Sequence, residues 1–385
     1  MIIEIRNAGF INKGAELMLH AVMHQIKDRY PYAKLVMAPS HPKKGRPFYK
    51  FAKLGFYSKA WFWKYGIQCG DAAVLVPKLF RDMYGVVLDR EVNVVLDMAG
   101  FAYSDQWGVG SSKELARSSK RWKRRGTKVI LLPQALGPYQ KSDIQSWVIQ
   151  WADNVDLIFA REHESYNHLT ELVGEQNKIK IYPDFTNLVK GTLPDGYDSS
   201  DKRIALVPNY RMVDKTNKEE SAAYLPFMIR CAKYLVAQDA KPFVLVHEGA
   251  NDQMLADRIS EAAGGIPVVK ENDALHIKGI LGTCDATVGS RFHGLVSALS
   301  QGVPSLATGW SHKYIRLFDD YSFKEGVVSV LSSEQELYNK IDLILNVEKL
   351  QYIRNGIIDC SNKQKELSRK MWMSVFEEMD KVANR

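Results

Sequence analysis

The run Asp285-Ala-Thr-Val-Gly-Ser-Arg-Phe-His-Gly-Leu-Val-Ser-Ala-Leu-Ser-Gln-Gly-Val-Pro-Ser-Leu-Ala-Thr-Gly, ending at Gly309, decides how the chain folds. Ala286–Val288 is a short apolar strand and Gly289-Ser290 a tight turn. Leu295, Val296 and Leu299 repeat at helical spacing until Gly302 stops the helix and a second strand, Ser305–Ala307, begins. Strand, helix and strand in that order form a βα unit of a parallel sheet. Such a unit puts Arg291, Phe292 and His293 at a helix N-terminus on the carboxyl side of the sheet. Free N–H groups, the helix dipole and a guanidinium converge there into an anion site. His293 would serve as proton donor, its cationic form favoured by a bound anion. The same residues fit a structural alternative, with Arg291 paired to a local carboxylate and His293 capping the helix. Periodicity leaves both open.

The same alternation extends in both directions. Upstream strands are predicted at Arg203–Val207, Phe243–His247 and Pro267–Val269. An earlier series lies at Ile2–Ile5, Lys34–Met37, Val92–Leu96, Lys128–Leu132, Leu157–Ala160 and Ile179–Tyr182. The polar, turn-forming stretch from Gly191 to Asp201 reads as a linker. The expectation is an α/β chain of two tandem Rossmann-like domains, residues 1–195 and 196–333, with a cleft at the carboxyl ends of their strands. Helices over 334–385 pack back on them. Its 385 residues exceed what one hydrophobic core supports, which agrees with two domains. Neither a Gly-x-Gly-x-x-Gly fingerprint nor a Walker loop occurs, against a dinucleotide or nucleoside triphosphate enzyme.

Hydrophobic residues make 46% and charged residues 25% of the chain, which excludes a disordered or fibrous protein. No apolar run approaches the roughly 18 residues of a spanning helix, so a cytoplasmic chain is expected, at most peripheral on the membrane's inner face. Cys69, Cys231, Cys284 and Cys360 are scattered and make neither a disulfide framework nor a metal site, and are read as buried or incidental thiols. The net charge of +8 is concentrated in two acid-free blocks of seven cations each, Lys43–Lys64 and Arg117–Lys128, leaving the remainder net negative by six. The first block, extended to Tyr65, interleaves nine aromatics, a pattern shared by membrane-interface segments and by core-facing stripes with snorkelling lysines. A non-catalytic basic adaptor is the reading from another class, but the negative remainder and the missing binding motif speak against nucleic acid.

Several stretches carry a family resemblance. Gly289-Ser-Arg-Phe-His-Gly with Lys313 downstream resembles the hallmark of the polysaccharide pyruvyl transferase family. Gly9-Phe-Ile-Asn-Lys-Gly-Ala-Glu is similar to its N-terminal loop, with Ala15 where an acid is usual. Leu132-Pro-Gln-Ala-Leu-Gly-Pro, Phe159-Ala-Arg-Glu-His-Glu-Ser and Tyr182-Pro-Asp-Phe match further elements, while Met98 and Ala99 depart from its usual Gly-Gly pair. The resemblance covers residues 2 to about 320 and implies the two-domain architecture of B-type glycosyltransferases. It also implies transfer of the enolpyruvyl unit of phosphoenolpyruvate onto two sugar hydroxyls, with phosphate released. No metal or organic cofactor is required, and the acceptor belongs to a polysaccharide or a polyprenyl-linked oligosaccharide. His293 is then the acid or base, and Arg291 binds the donor.

A donor bearing phosphate and carboxylate needs several cationic contacts, and Arg161, Arg291 and Lys313 are the candidates. Arg161 directly follows a strand, although a surface pair with Glu162 or Glu164 is the structural alternative. Asn12, Glu16 and Asp97 are candidates for the acceptor, against structural roles as loop cap, first-turn helix acid and strand-end cap respectively. His247 ends a strand on the same side of its sheet, and His312 neighbours Lys313. A nucleotide-sugar glycosyltransferase is the competing enzyme, because the same fold serves both chemistries.

Overall fold

The computed structural model describes residues 1–40, 45–64, 67–200, 202–309 and 313–383. Lys43, Lys44, Tyr65 and His312 lie outside the described residues. The strands are β1 (Ile2–Arg6), β2 (Lys34–Met37), β3 (Tyr57–Ala60), β4 (Trp63–Lys64), β5 (Ile67–Gln68), β6 (Val86–Leu88), β7 (Val94–Asp97), β8 (Lys128–Gln134), β9 (Leu157–Ala160), β10 (Ile179–Ile181), β11 (Ile204–Val207), β12 (Pro242–Val246), β13 (Val268–Lys270), β14 (Ala286–Gly289) and β15 (Ser305–Ala307). The helices are α1 (Lys13–Arg29), α2 (Phe48–Lys53), α3 (Lys78–Met83), α4 (Gly110–Arg125), α5 (Ser142–Asn154), α6 (His163–Val173), α7 (Arg211–Asp214), α8 (Lys218–Ala237), α9 (Gly249–Ala262), α10 (Ala274–Gly282), α11 (Phe292–Leu299), α12 (Lys313–Asp320), α13 (Glu334–Leu345) and α14 (Val347–Ala383).

The chain forms two compact units. The first comprises Met1–Ile11, Met18–Phe185 and the residues from Leu367 onward; the second comprises Asn12–Leu17 and Thr186–Glu366. The first turn of α1 therefore groups with the second unit, and α14 divides between the two. Gly191 and Thr192, read from sequence as linker, pack on α10 of the second unit. There the Thr192 N–H donates to the Leu275 carbonyl at 3.1 Å, and a methyl built on Gly191 would lie 2.7 Å from Gly279 Cα.

In the first unit, eight strands run in the order β10-β9-β8-β7-β1-β2-β3-β6, every pairing parallel. β3 and the edge strand β6 lie outside the predicted series; Tyr57-Ser-Lys-Ala is too polar to read as an apolar run. Lys59 at its centre is fully buried. Its ammonium meets Glu4 at 2.5 Å and Asp89 at 2.7 Å, and lies 4.2 Å from the Trp61 ring centroid and 5.1 Å from that of Trp122. Arg121 and Arg125 from the second basic block also bind Asp89, and Lys128 binds Asp156 and Glu378. The blocks are thus partly neutralised within the unit by acids distant in sequence. Phe51 and Phe56 are buried, which withdraws them and Lys59 from a membrane-facing role. Phe48, Tyr49 and Phe62 remain exposed. Among the described residues, no helix is long and apolar enough to cross a membrane. Cys231, Cys284 and Cys360 are buried, but Cys69 is exposed.

The second unit is a parallel sheet ordered β13-β12-β11-β14-β15. Period-two alternation sorts its side chains onto two faces. Ile204, Leu206, Val244 and Val246 pack with residues of α8, α9 and α13, while Ala205, Val207, Phe243 and Leu245 pack with Ile277, Ile280 and Leu281 of α10. The strand order reverses between β11 and β14, and loops leaving the carboxyl ends of strands at such a point form a crevice where ligands bind.

Asp89 supplies a test of the buried charge cluster. Burial by itself would raise its carboxyl, but Lys59, the Trp122 indole N–H and Arg121 outweigh burial and hold its pKa at about 2. A depressed carboxyl contributes stability that is present above its unfolded value of about 4 and is lost as pH falls toward 2. Asp89→Asn, which leaves Lys59 short of a partner, is expected to cost about 3–5 kcal/mol in urea unfolding at pH 7. The gap from wild type should narrow as pH falls from 4 to 2.

Candidate active site

The site is built at the carboxyl edge of the second sheet. β14 ends at Gly289, and Ser290, fully buried, turns the chain. Three side chains hold that turn. Asn209 Nδ2 donates to the Ser290 carbonyl at 2.6 Å, Tyr314 Oη donates to the same carbonyl at 2.8 Å, and Tyr224 Oη pairs with Ser290 Oγ. Burial raises the Tyr224 pKa, so the hydroxyl keeps its proton. Arg291 follows as the N-cap of α11 in extended conformation, with no capping bond from its side chain.

The Arg291 guanidinium is engaged by carboxylates. Nε donates to Asp252 at 2.9 Å, Nη2 reaches both Asp252 oxygens at 2.6 and 2.5 Å, and Nη1 pairs with Glu248. Asp252 is fully buried on α9 and also accepts the Tyr210 N–H at 2.9 Å. Burial alone would lower the Arg291 pKa, and the two acids outweigh it. The sequence points to Arg291 as a contact for the donor anion; in the structure its charge is matched by two carboxylates, and the fork ties α11 to α9. Those bonds hold the first turn of α11 to α9.

His293, one residue into that turn, seats its ring against Gly14 of α1. A methyl built on Gly14 would overlap Nδ1 and approach Cγ to 2.6 Å and Cε1 to 2.9 Å. The starts of α1 and α11 therefore meet at the imidazole. Asn12 caps α1, its Oδ1 accepting the Ala15 N–H at 3.1 Å, and its Nδ2 lies 3.5 Å from Glu248. Glu16 pairs with Lys13 at 2.7 Å, and Lys13 also donates to the Asn272 carbonyl at 2.6 Å. Asn12 and Glu16 thus hold the structural positions of cap and first-turn acid. Lys313 begins α12 with its ammonium 5.4 Å from the Phe292 ring and 5.5 Å from that of Tyr314. His247 directly follows β12 and is 5% exposed. Glu248, Asp252, Lys13, Asn209 and Tyr224 carry no motif signal. Only the rule that ligand groups cluster just past strand ends would have singled out Asn209 after β11 and Glu248 after β12.

Arg161 and Asp97 belong to the first unit. Asp97, expected to meet the acceptor, is fully buried. Its carboxylate accepts from Asn7 Nδ2 at 3.1 and 2.9 Å, Tyr103 Oη at 2.8 Å and the Ala99 N–H at 3.1 Å, with Arg6 at 3.4 Å. It is a strand-end cap. Arg161 is buried, its Nη1 3.3 Å from Asp184, and its N–H donates to the Gln134 carbonyl at 3.0 Å. Glu162 accepts from the Ser165 N–H, and Ser165 Oγ accepts the Leu136 N–H at 2.7 Å. The segments around Gln134, Arg161 and Asp184 thereby converge by direct bonds. Among the described residues, no group of three or more His, Cys, Asp or Glu is arranged to hold a metal ion.

Arg291→Ala leaves Asp252 buried and without its guanidinium, and is expected to cost about 3–5 kcal/mol in denaturant unfolding. Arg291→Lys should recover only part, since lysine lacks the planar fork. A loss below about 1 kcal/mol for Arg291→Ala would contradict the positioning role.

No curated protein matches the chain. Among solved structures, it resembles UDP-GlcNAc 2-epimerase from Neisseria meningitidis bound to UDP-GlcNAc, with TM-score 0.58 and 10% identity over 96% of this chain and 99% of that one. It resembles UDP-GlcNAc 2-epimerase from Methanocaldococcus jannaschii with TM-score 0.56 and 10% identity over 91% and 94%. Anabaena HepE, in complex with UDP and glucose, gives TM-score 0.56 and 12% identity over 98% and 99%. At such identities the likeness shows the fold, two Rossmann-like units of the B-type glycosyltransferase kind followed by helices. The family model for polysaccharide pyruvyl transferase matches residues 12–312, which include both Gly14 and the Arg291-Phe-His293 turn. The chain belongs to the polysaccharide pyruvyl transferase family, and is a transferase.

Proposed function

We propose that the second unit binds phosphoenolpyruvate and moves its three-carbon unit onto two hydroxyls of a sugar in a polysaccharide or lipid-linked oligosaccharide, releasing phosphate. The observation that carries this reading is the seating of His293 against Gly14, where two helix N-termini meet. Peptide N–H groups at both helix starts favour an anion beside the imidazole. Lys13 on α1 and Lys313 at the start of α12 add positive charge. A donor bearing phosphate and carboxylate suits that field, and an imidazolium next to it is a proton source.

The chemistry follows from the donor. His293 protonates the methylene carbon, which becomes a methyl group, and the central carbon gains oxocarbenium character. One sugar hydroxyl adds to that carbon, the bond from carbon to the phosphate oxygen breaks, and the second hydroxyl closes the ketal. Of the two hydroxyl protons, one balances that gained by the methyl group and the other leaves with phosphate. The atoms balance with no further reactant. Nucleotide-sugar transfer is the competing reaction, since solved proteins of this fold hold UDP-GlcNAc or UDP with glucose. A coupled assay separates them. Acceptor-dependent phosphate release from phosphoenolpyruvate supports the proposal, and release of a nucleoside diphosphate from a nucleotide sugar overturns it.

Two substitutions probe the imidazole. His293→Gln should lower turnover by about 10²–10⁴-fold with donor affinity by calorimetry nearly unchanged. Gly14→Ala should also reduce turnover, by at least about tenfold, because the added methyl displaces the ring. In a helix, alanine is ordinarily favoured over glycine by about 1 kcal/mol, so a thermal melt near wild type accompanied by lost activity would place the effect at His293.

A further inference from the structure

The site holds a second imidazole that the motif does not name. His247 packs along the first turn of α11: its Cδ2 lies 3.6 Å from where a methyl on Gly294 would stand, beside His293 in sequence. The ring is 5% exposed. Among the described residues, its Nδ1 is buried with no hydrogen-bond partner. A structural histidine at a strand end ordinarily satisfies both ring nitrogens, since an unpaired buried nitrogen costs free energy. An orphaned nitrogen at the carboxyl edge of a parallel sheet is placed to meet a ligand.

Resting on the phosphoenolpyruvate reading above, we propose that His247 is the partner base of His293, and that the two imidazoles divide the proton traffic of the transfer. Neutral His247 takes the proton of the first hydroxyl as its oxygen bonds to the central carbon, while His293 gives its proton to the methylene carbon. The two rings have then exchanged states. As the bond to the phosphate oxygen breaks, His247 returns its proton to the leaving phosphate, and His293 accepts the proton of the second hydroxyl as the ketal closes. Both rings end as they began, and every proton is accounted for.

The surroundings keep His247 in the form this needs. Burial first, then the charges of Arg291, His293 and Lys13, hold its pKa well below 6.5. The acids Glu16 on α1, and Glu248 and Asp252 at the start of α9, are already engaged by Lys13 and Arg291. An anionic donor bound among these cations would offset their field and make His247 a better base at the moment it is required.

The test measures acceptor-dependent phosphate release from phosphoenolpyruvate across pH for wild type, His247→Gln and His247→Ala, with thermal melts and donor calorimetry alongside. Wild-type kcat/KM is expected to fall on the acid side below pH 6.5, where His247 takes up a proton. His247→Gln, which keeps side-chain bulk, should lose about 10²–10⁴-fold in kcat and lose the acid-side limb, with donor binding near wild type. Added imidazole should restore part of the His247→Ala activity, and the double variant with His293→Gln should be little slower than either single one. Should His247→Ala not fold, the glutamine variant and the wild-type profile still decide. A glutamine variant within about threefold of wild type, or one that keeps the acid limb, overturns the proposal while leaving the transferase reading intact. A wild-type enzyme that releases no phosphate overturns that reading, and this proposal with it.

Discussion

The buried pair between Arg291 and Asp252 is the constraint on which the site depends. A carboxylate with no solvent exposure must be matched, and the guanidinium fork supplies two parallel bonds of defined geometry. Because Arg291 is the residue before α11, its attachment to α9 fixes where that helix starts and in which direction its first turn presents Phe292 and His293. Asn209, Tyr224 and Tyr314 fix the preceding residue by its carbonyl and hydroxyl. The imidazole is therefore positioned by groups on α8, α9 and α12 and on the loop after β11, and Gly14 completes its seat by having no side chain. The arginine of the hallmark motif is thus held by two carboxylates beside the imidazole's turn.

Much of the architecture is legible in the sequence because central parallel strands are buried on both faces and read as apolar runs. β7, β8, β9, β11 and β12 fall where those runs predict. β3 and β6 do not: Tyr57-Ser-Lys-Ala is too polar for an apolar run, and β3 places Lys59 in the interior. A buried lysine looks like a surface residue until its partners are known, and Glu4 and Asp89 lie far from it in the chain. The same blindness applies to the aromatic block: Phe51 and Phe56 turn inward while Phe48, Tyr49 and Phe62 remain outside, and no periodicity separates them.

At the site, the motif marks the turn from Arg291 to His293, but the partners of Arg291 sit 39 and 43 residues away. Three polar residues at helix starts or strand ends, Asn12, Glu16 and Asp97, make the capping and pairing contacts that such positions commonly impose. His247 shows the opposite case. A strand-end histidine gives little signal in sequence, and only three-dimensional burial beside Arg291 and His293 makes its unmatched nitrogen informative.

The central claim is that the Arg291 fork builds the site without being consumed by the donor. A crystal structure of the protein with phosphoenolpyruvate bound tests it most directly. The account predicts Arg291 still paired with Asp252, and the donor lying at the first turns of α11 and α1 within hydrogen-bond reach of His293. A structure in which Arg291 has left Asp252 to clamp the donor, or in which the donor lies away from His293, would contradict it.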